Sequence, residues 1–354
     1  MFILEKAIKY NTIIRKCLLL AVFSVLVFAG CQSGEDAPDV SGIKVGINAR
    51  RFDKDLAKTD TNALSTGLHF LHAKYPDFLD LYLDRVMGFR IEGNYDSTNP
   101  GVSQGLKGFL THKDIRGLFD TIAVHYPETK EVDADLAKGF QYMKHYYADY
   151  KVPNIIYFIS GLNNYGAIVI DNGIGIGLDM FLGNDYPFYR SVGIQDYLKV
   201  QVSREYIPVA AFRAVYQDMH PDTLDNRPLL DIMLQKGKEQ YFLSKILPFV
   251  PEATRLGYTE DQLNGANKNE AFIYNYFVQK ELLYVTTLTR TFSFVNEGPG
   301  VKEISEDCPG NIGTWVGLQI VKAYMEEHPK TTLEELFKPS DPQAFLRESK
   351  YKPK

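Results

Sequence analysis

Few side chains in this sequence have the types and the spacing that a metal or nucleophilic centre requires. A zinc hydrolase needs two imidazoles on one helical face with a glutamate beside them, but no H-E-x-x-H occurs, and no histidine lies between His145 and His220. Cys308 has no histidine near it in the sequence, which favours an inert thiol. No catalytic residue, metal ligand or cofactor is therefore predicted. A hydrolase whose active site is assembled from distant segments remains the alternative.

The residue with the clearest chemistry is Cys31, because of what precedes it. Four basic residues between positions 6 and 16 are followed by an uncharged apolar run, Cys17–Gly30, in the order typical of a signal peptide. The run has 14 residues, whereas a membrane-spanning helix needs about 20. Ala29 and Gly30 directly before Cys31 resemble the lipobox of bacterial lipoproteins. Residues 1–30 are predicted to be a signal peptide and Cys31 the lipid attachment site, with acyl chains anchoring the protein in the membrane.

Composition sets further limits on organisation and partners. Residues 31–42 are polar, acidic and contain Gly and Pro, which is typical of a flexible tether. Residues 43–350 are long enough for a single globular domain. The net charge of −5 and a pI near 5.9 provide no basic surface, so nucleic acid is excluded as a partner. Tyrosine is abundant in segments with few apolar neighbours, which indicates exposed rings that suit a binding surface.

The order of predicted elements gives the fold class. Apolar residues alternate at Ile43, Val45 and Ile47, which predicts a strand. Two apolar runs flank Asn172-Gly173 and predict a hairpin. Helical periodicity predicts helices in the chain before and after this hairpin, over these ranges: 64–86, 113–126, 133–150, 195–218, 227–247, 259–284 and 312–327. The sequence therefore predicts a mostly helical α+β fold with a small antiparallel sheet. Gly313 and Gly317, one turn apart, predict a close approach of another backbone.

Longer motifs identify a family that the chain resembles. The stretch LDMFLGNDYPFY follows the predicted hairpin, and PGNIGTWVGLQIV begins the last long helix. Together with INARRFDKDL and LHAKYPDFLDLYLDRVMGF, in this order, they resemble the gliding-motility lipoprotein GldB family of Bacteroidetes. The family is distantly similar to zinc peptidases of the zincin type. The helix after the hairpin, SREYIPVAAFRAVYQDM, has no histidine, and a later helix has Lys236-Gly237 where an acidic ligand is expected. The resemblance implies a zincin-like scaffold that lacks the zinc motif.

The resemblance also implies a function and a location. It implies a non-catalytic lipoprotein of the cell envelope, an accessory or scaffold component of the gliding apparatus and its linked secretion machinery, most consistent with the outer membrane. Its partners would be the membrane, through the lipid, and other envelope proteins. A groove kept for binding would involve these five residues: Asp179, Tyr186, Tyr189, Lys236 and Lys238. A degenerate hydrolase and a surface glycan-binding lipoprotein remain the alternatives.

Overall fold

A computed structural model describes residues 37–90, 95, 100–221 and 227–354, and residues Val40–Lys354 form one compact unit. Cys31, the predicted signal peptide and half of the predicted tether lie outside the described residues. Within the described ranges, each helix is too short or too polar to cross a lipid bilayer.

Helices make up most of the described chain, with one small sheet between them. The strands are β1 (Ala49–Arg51), β2 (Asn154–Phe158), β3 (Ala167–Ile170) and β4 (Gly173–Gly177). The helices before the sheet is completed are α1 (Phe52–Ala57), α2 (Leu64–Lys74), α3 (Leu79–Leu81, continued as a π-turn over Tyr82–Val86), α4 (Pro100–Thr111), α5 (Lys113–His125) and α6 (Lys130–Tyr146). Those after it are α7 (Ile207–Met219), α8 (Leu229–Ile246), α9 (Glu252–Leu256), α10 (Glu260–Lys268), α11 (Glu270–Gln279), α12 (Leu288–Val295), α13 (Ile312–Glu327), α14 (Leu333–Leu336) and α15 (Pro342–Ser349).

The sheet has the order β1-β2-β4-β3 and confirms the predicted hairpin. Strands β3 and β4 are antiparallel, with Ile170 opposite Gly173, so Asp171 and Asn172 form the turn and Gly173 already belongs to a strand. The sheet as a whole is mixed rather than antiparallel, because β1 and β4 both run parallel to β2. Five helices separate β1 from β2 along the chain, and a long helical connection of this kind allows parallel pairing.

The first strand lies further along the chain than predicted. Ile43, Val45 and Ile47 pack partly buried against the core, but pairing begins only at Ala49, which faces Ile155 of β2. Pro153 precedes β2 and has no backbone N–H to donate, so the earlier residues have no strand to pair with. The predicted strand was therefore placed too early, although the segment does lead directly into the sheet.

The helix predictions hold in position, with two differences in extent. The helix predicted over 195–218 begins only at Ile207, because residues 196–206 form short 3-10 turns between irregular segments. The helix predicted over 259–284 is interrupted at Asn269, which separates α10 from α11. The helix α13 agrees with the prediction, and Trp315 on it is fully buried.

Helices α8 and α13 cross at a contact between backbones. A Cβ atom added at Gly237 would lie 2.3 Å from the carbonyl carbon of Gly317, and one added at Gly317 would lie 1.8 Å from the carbonyl oxygen of Met233. The close approach predicted for Gly313 and Gly317 is therefore present. Its partner is the glycine that follows Lys236.

Candidate functional site

The five residues predicted to line a groove lie on two separate parts of the fold. Asp179, Tyr186 and Tyr189 belong to the segment that follows β4, whereas Lys236 and Lys238 lie on α8. Among the described residues, no hydrogen bond, ion pair or ring contact joins the two groups. They are therefore described in turn.

Asp179 is an internal anchor and not a contact residue. Its side chain has no solvent exposure, and its carboxylate accepts hydrogen bonds from the Ser160 backbone N–H and hydroxyl at 2.9 Å each and from the Leu162 N–H at 2.7 Å. Burial raises the pKa of this carboxyl, and the three donors oppose that rise. The prediction that Asp179 faces a groove is corrected, because its oxygens are already used to fasten the turn after β4 to the loop after β2.

Tyr189 braces the same segment from inside. Its hydroxyl donates to the Asp179 carbonyl and accepts from the Leu182 N–H, both at 2.8 Å, and its side chain is buried. Its ring contacts that of Tyr186 edge to face at 5.1 Å, and Tyr186 in turn contacts Phe188 at 5.6 Å. Tyr186 is partly exposed, and burial raises its pKa. A chain of rings thus runs from the interior to the surface.

The outer end of this chain is apolar and exposed. Phe188 is 48 % exposed and Val192 is 43 % exposed. The backbone N–H groups of Ser191 and Val192 both donate to the Phe188 carbonyl, which holds the two side chains on one short turn. We call residues 186–192 the aromatic segment. It presents exposed apolar side chains on a base that buried hydrogen bonds fix, which is the arrangement that binding surfaces favour.

Lys236 lies near a cluster of buried charges between α7 and α8. Arg213 on α7 approaches Glu239 on α8, Nε to Oε1 at 3.0 Å, and donates to the Tyr206 hydroxyl at 2.6 Å. Glu297 is largely buried beside them, and burial raises its pKa more than the nearby Arg213 and Lys236 lower it. Two cations and two carboxylates balance each other here, so the cluster joins two helices without leaving an unpaired nucleophile.

The remaining candidates for chemistry are also accounted for by packing. Burial raises the pKa of the Cys308 thiol to about 12, which keeps it protonated and unreactive. Across the ranges that the structure describes, no three His, Cys, Asp or Glu side chains are grouped so that they could hold a metal ion. The Lys236-Gly237 pair has a structural reason that sequence reasoning missed, since Gly237 must be small where α8 meets α13.

Sequence reasoning also missed a charged cleft at the opposite end of the sheet from the aromatic segment. A cavity of about 1050 Å³ opens beside the hairpin turn, at the start of β2 and the end of α7. Three carboxylates line it, those of Asp149, Asp171 and Asp218, together with Arg85 and Lys151. These residues come from five separate segments, so no local motif marks the cleft. All five side chains are exposed to solvent.

Lys238 lines a smaller cavity of about 420 Å³ at the end of α7, with His220 and Gln235 on the same wall. Its ammonium group lies 5.0 Å from the centre of the Phe345 ring. The two lysines predicted together thus face different surroundings, Lys236 towards Glu297 and Lys238 towards a pocket.

The comparison with known protein families identifies the chain. A family model described as gliding motility protein GldB matches residues 33–353, which include all the strands and helices given above. No curated protein and no solved structure shows significant similarity to the chain. The aromatic segment, the charge cluster and the crossing of α8 and α13 all lie within the matched residues. The chain therefore belongs to the GldB family of gliding motility lipoproteins.

Proposed function

We propose that this protein is a non-catalytic accessory component of the cell envelope, which binds another protein of the gliding and linked secretion machinery through the aromatic segment. Acyl chains on Cys31 would hold it at the outer membrane. The observation that carries the proposal is the pair of exposed apolar side chains, Phe188 and Val192, on a turn fixed from below by Asp179 and Tyr189. Because the turn is already ordered, binding would cost little conformational entropy.

The position of the aromatic segment supports this role. The chain from the tether enters the body beside the start of β2, where the Asn48 side chain donates to that of Asn154 at 2.6 Å. The aromatic segment follows the other end of β4, and β4 runs parallel to β2. Attachment to the lipid and the proposed contact therefore use opposite ends of the sheet, so that the anchor and a partner would not compete for the same surface.

Burial of the two side chains would contribute measurably to affinity. Full burial of a Val or Phe side chain stabilises by about 1.5–3 kcal/mol, and Phe188 and Val192 are each about half exposed. Covering both would therefore contribute about 2 kcal/mol, or roughly thirtyfold in Kd.

The test uses two double variants in a gliding strain that depends on this protein. Phe188→Ser with Val192→Ser should abolish or strongly reduce cell spreading while the protein stays at its normal level. The matched control, Phe70→Ser with Val124→Ser, removes two other exposed apolar side chains, which are 57 % and 77 % exposed, and should spread normally. Normal spreading of both variants would contradict the proposal.

The charged cleft supports a second candidate function, that of a hydrolase with a dispersed active site. Paired carboxylates are the groups that glycosidic hydrolysis uses, and Asp149, Asp171 and Asp218 share one cavity. Asp171→Asn with Asp218→Asn separates the two candidates. Loss of spreading in this folded variant, with normal spreading in the Phe188 and Val192 variant, would favour the hydrolase. A tightly held stoichiometric zinc in the purified protein would also contradict the accessory role, and binding to a glycan array would favour the glycan-binding alternative.

A further inference from the structure

A second pocket, far along the chain from the aromatic segment, has the chemistry of a ligand site. It is the cavity of about 420 Å³ between the end of α7, the first turns of α8 and the segment before α15. Small-molecule and peptide pockets typically begin at about 300 Å³. Lys238 and Gln235 of α8 line it together with His220, and the rings of Tyr216 and Phe337 form an apolar part of the wall.

Lys238 has no anionic partner in this pocket. Among the described residues, no carboxylate forms an ion pair with its ammonium group, which instead lies against the Phe345 ring. The nearest negative group, Asp231, forms its own ion pair with Arg227 at 3.5 Å. Lys338 adds a further positive charge to the lining. A partly desolvated cation without a counter-ion is unfavourable, so an anion in the pocket would complete it.

The same wall also holds polar atoms without partners. The Nε2 atom of His220 and the Oε1 atom of Gln235 are buried, and neither has a hydrogen-bond partner among the described residues. Imidazole Nε2 can donate, whereas the amide Oε1 can only accept. The pocket therefore offers donors for a carboxylate from Lys238 and His220, and an acceptor for an N–H group from Gln235.

A peptide C-terminus carries both groups within one residue, a carboxylate and a backbone N–H. We propose that this pocket binds the C-terminal carboxylate of a peptide, with an apolar last side chain against Tyr216 and Phe337. Lys238 provides the charge, and Gln235 accepts from the N–H of the last residue. The site stands apart from the proposed function, because the aromatic segment contributes no residue to it.

Fluorescence anisotropy with labelled peptides tests the assignment on the full chain purified in detergent. The probe is a pentapeptide of sequence Gly-Ser-Gly-Ala-Leu with a free C-terminus, compared with its C-terminal amide and with an amide that carries an internal glutamate. The free acid should bind at least tenfold more tightly than either amide. Equal binding of the plain amide would overturn the proposal, and equal binding of the glutamate peptide would overturn the assignment to a chain terminus.

The matched variants are Lys238→Met and Lys245→Met. Both lysines lie on α8 with the ammonium 5.0 Å from an aromatic ring centre, but only Lys238 lines the pocket. Lys238→Met should lower the affinity for the free acid to that for the amide, and Lys245→Met should not change it. Unchanged binding by Lys238→Met would overturn the proposal. Binding that appears only when Asp222 and Asp225, which lie outside the described residues, are both changed to Asn would also overturn it, since the chain would then fill its own pocket.

A measurement on the unmodified protein keeps the test independent of any folding defect in the variants. Burial lowers the pKa of Lys238 to about 8, and NMR can follow its side-chain resonance through this range. The free-acid peptide at saturation should raise that pKa, because a carboxylate favours the charged amine, whereas the amide should leave it unchanged. An equal pKa with both peptides would contradict the proposed contact. Neither result bears on Phe188 and Val192, so failure here is distinguishable from failure of the proposed function.

Discussion

Replacement of Gly317 by Ala tests how α8 and α13 hold the C-terminal half of the chain together. The new Cβ would lie 1.8 Å from the Met233 carbonyl oxygen, whereas ordinary contacts begin at 3.4 Å, so the helices would have to separate by about 1.6 Å. The obstacle is backbone, and no side-chain rotation can relieve it. Overpacking of this kind costs about 1–3 kcal/mol, and the higher helix propensity of Ala returns about 1 kcal/mol. We expect a net loss of about 2 kcal/mol, at the upper end of the overpacking range.

Gly117→Ala is the matched control for this prediction. Gly117 lies within α5, is exposed, and a Cβ added there would meet no atom within 4 Å. This variant should therefore gain about 1 kcal/mol from helix propensity alone. Urea unfolding followed by circular dichroism and by the fluorescence of Trp315, the single tryptophan of the chain, measures both free energies. If Gly317→Ala is as stable as Gly117→Ala, the two helices do not meet through their backbones, and the reasoning fails.

Three further predictions concern the core, the anchor and the base of the aromatic segment. Trp315→Ala should destabilise the protein by about 3–5 kcal/mol, because the side chain is fully buried; its emission in the wild type should be blue-shifted, and a loss below about 1 kcal/mol would place it at the surface. Cys31→Ala should leave a folded protein that no longer incorporates labelled palmitate or sediments with membranes, and full retention in the membrane fraction would reveal another anchor. Asp179→Asn should cost about 1–3 kcal/mol in urea unfolding, because one of the donors from Ser160 or Leu162 then lacks an acceptor; an unchanged free energy of unfolding would show that the clamp is not needed.

Local patterns predicted the elements whose causes are local. The hairpin at Asn172-Gly173 and the helix from Ile312 follow from turn chemistry and from apolar periodicity, and both are present. The turn itself is one residue earlier, because the strand register pairs Ile170 with Gly173. Strand β1 was misplaced because pairing depends on where β2 begins, and Pro153 decides that about a hundred residues later.

The candidate sites depend on contacts between distant segments, which no single stretch encodes. Gly237 is explained only by Gly317, eighty residues further along the chain. Asp179 was predicted as a contact residue because it lies in a family motif, but its donors come from the loop after β2. Tyr186 was placed correctly at a partly exposed position, since a ring next to Pro187 in a short polar segment has few ways to be fully buried.

In-cell photo-crosslinking tests the central claim most directly. A photoreactive amino acid replaces Phe188 in the aromatic segment, or Val124 on α5 as the exposed control, and crosslinked species are identified in intact cells by mass spectrometry. The account predicts one discrete adduct with an envelope protein from position 188 and none from position 124. No adduct at position 188, or the same set of adducts from both positions, would contradict the claim that the aromatic segment binds a partner.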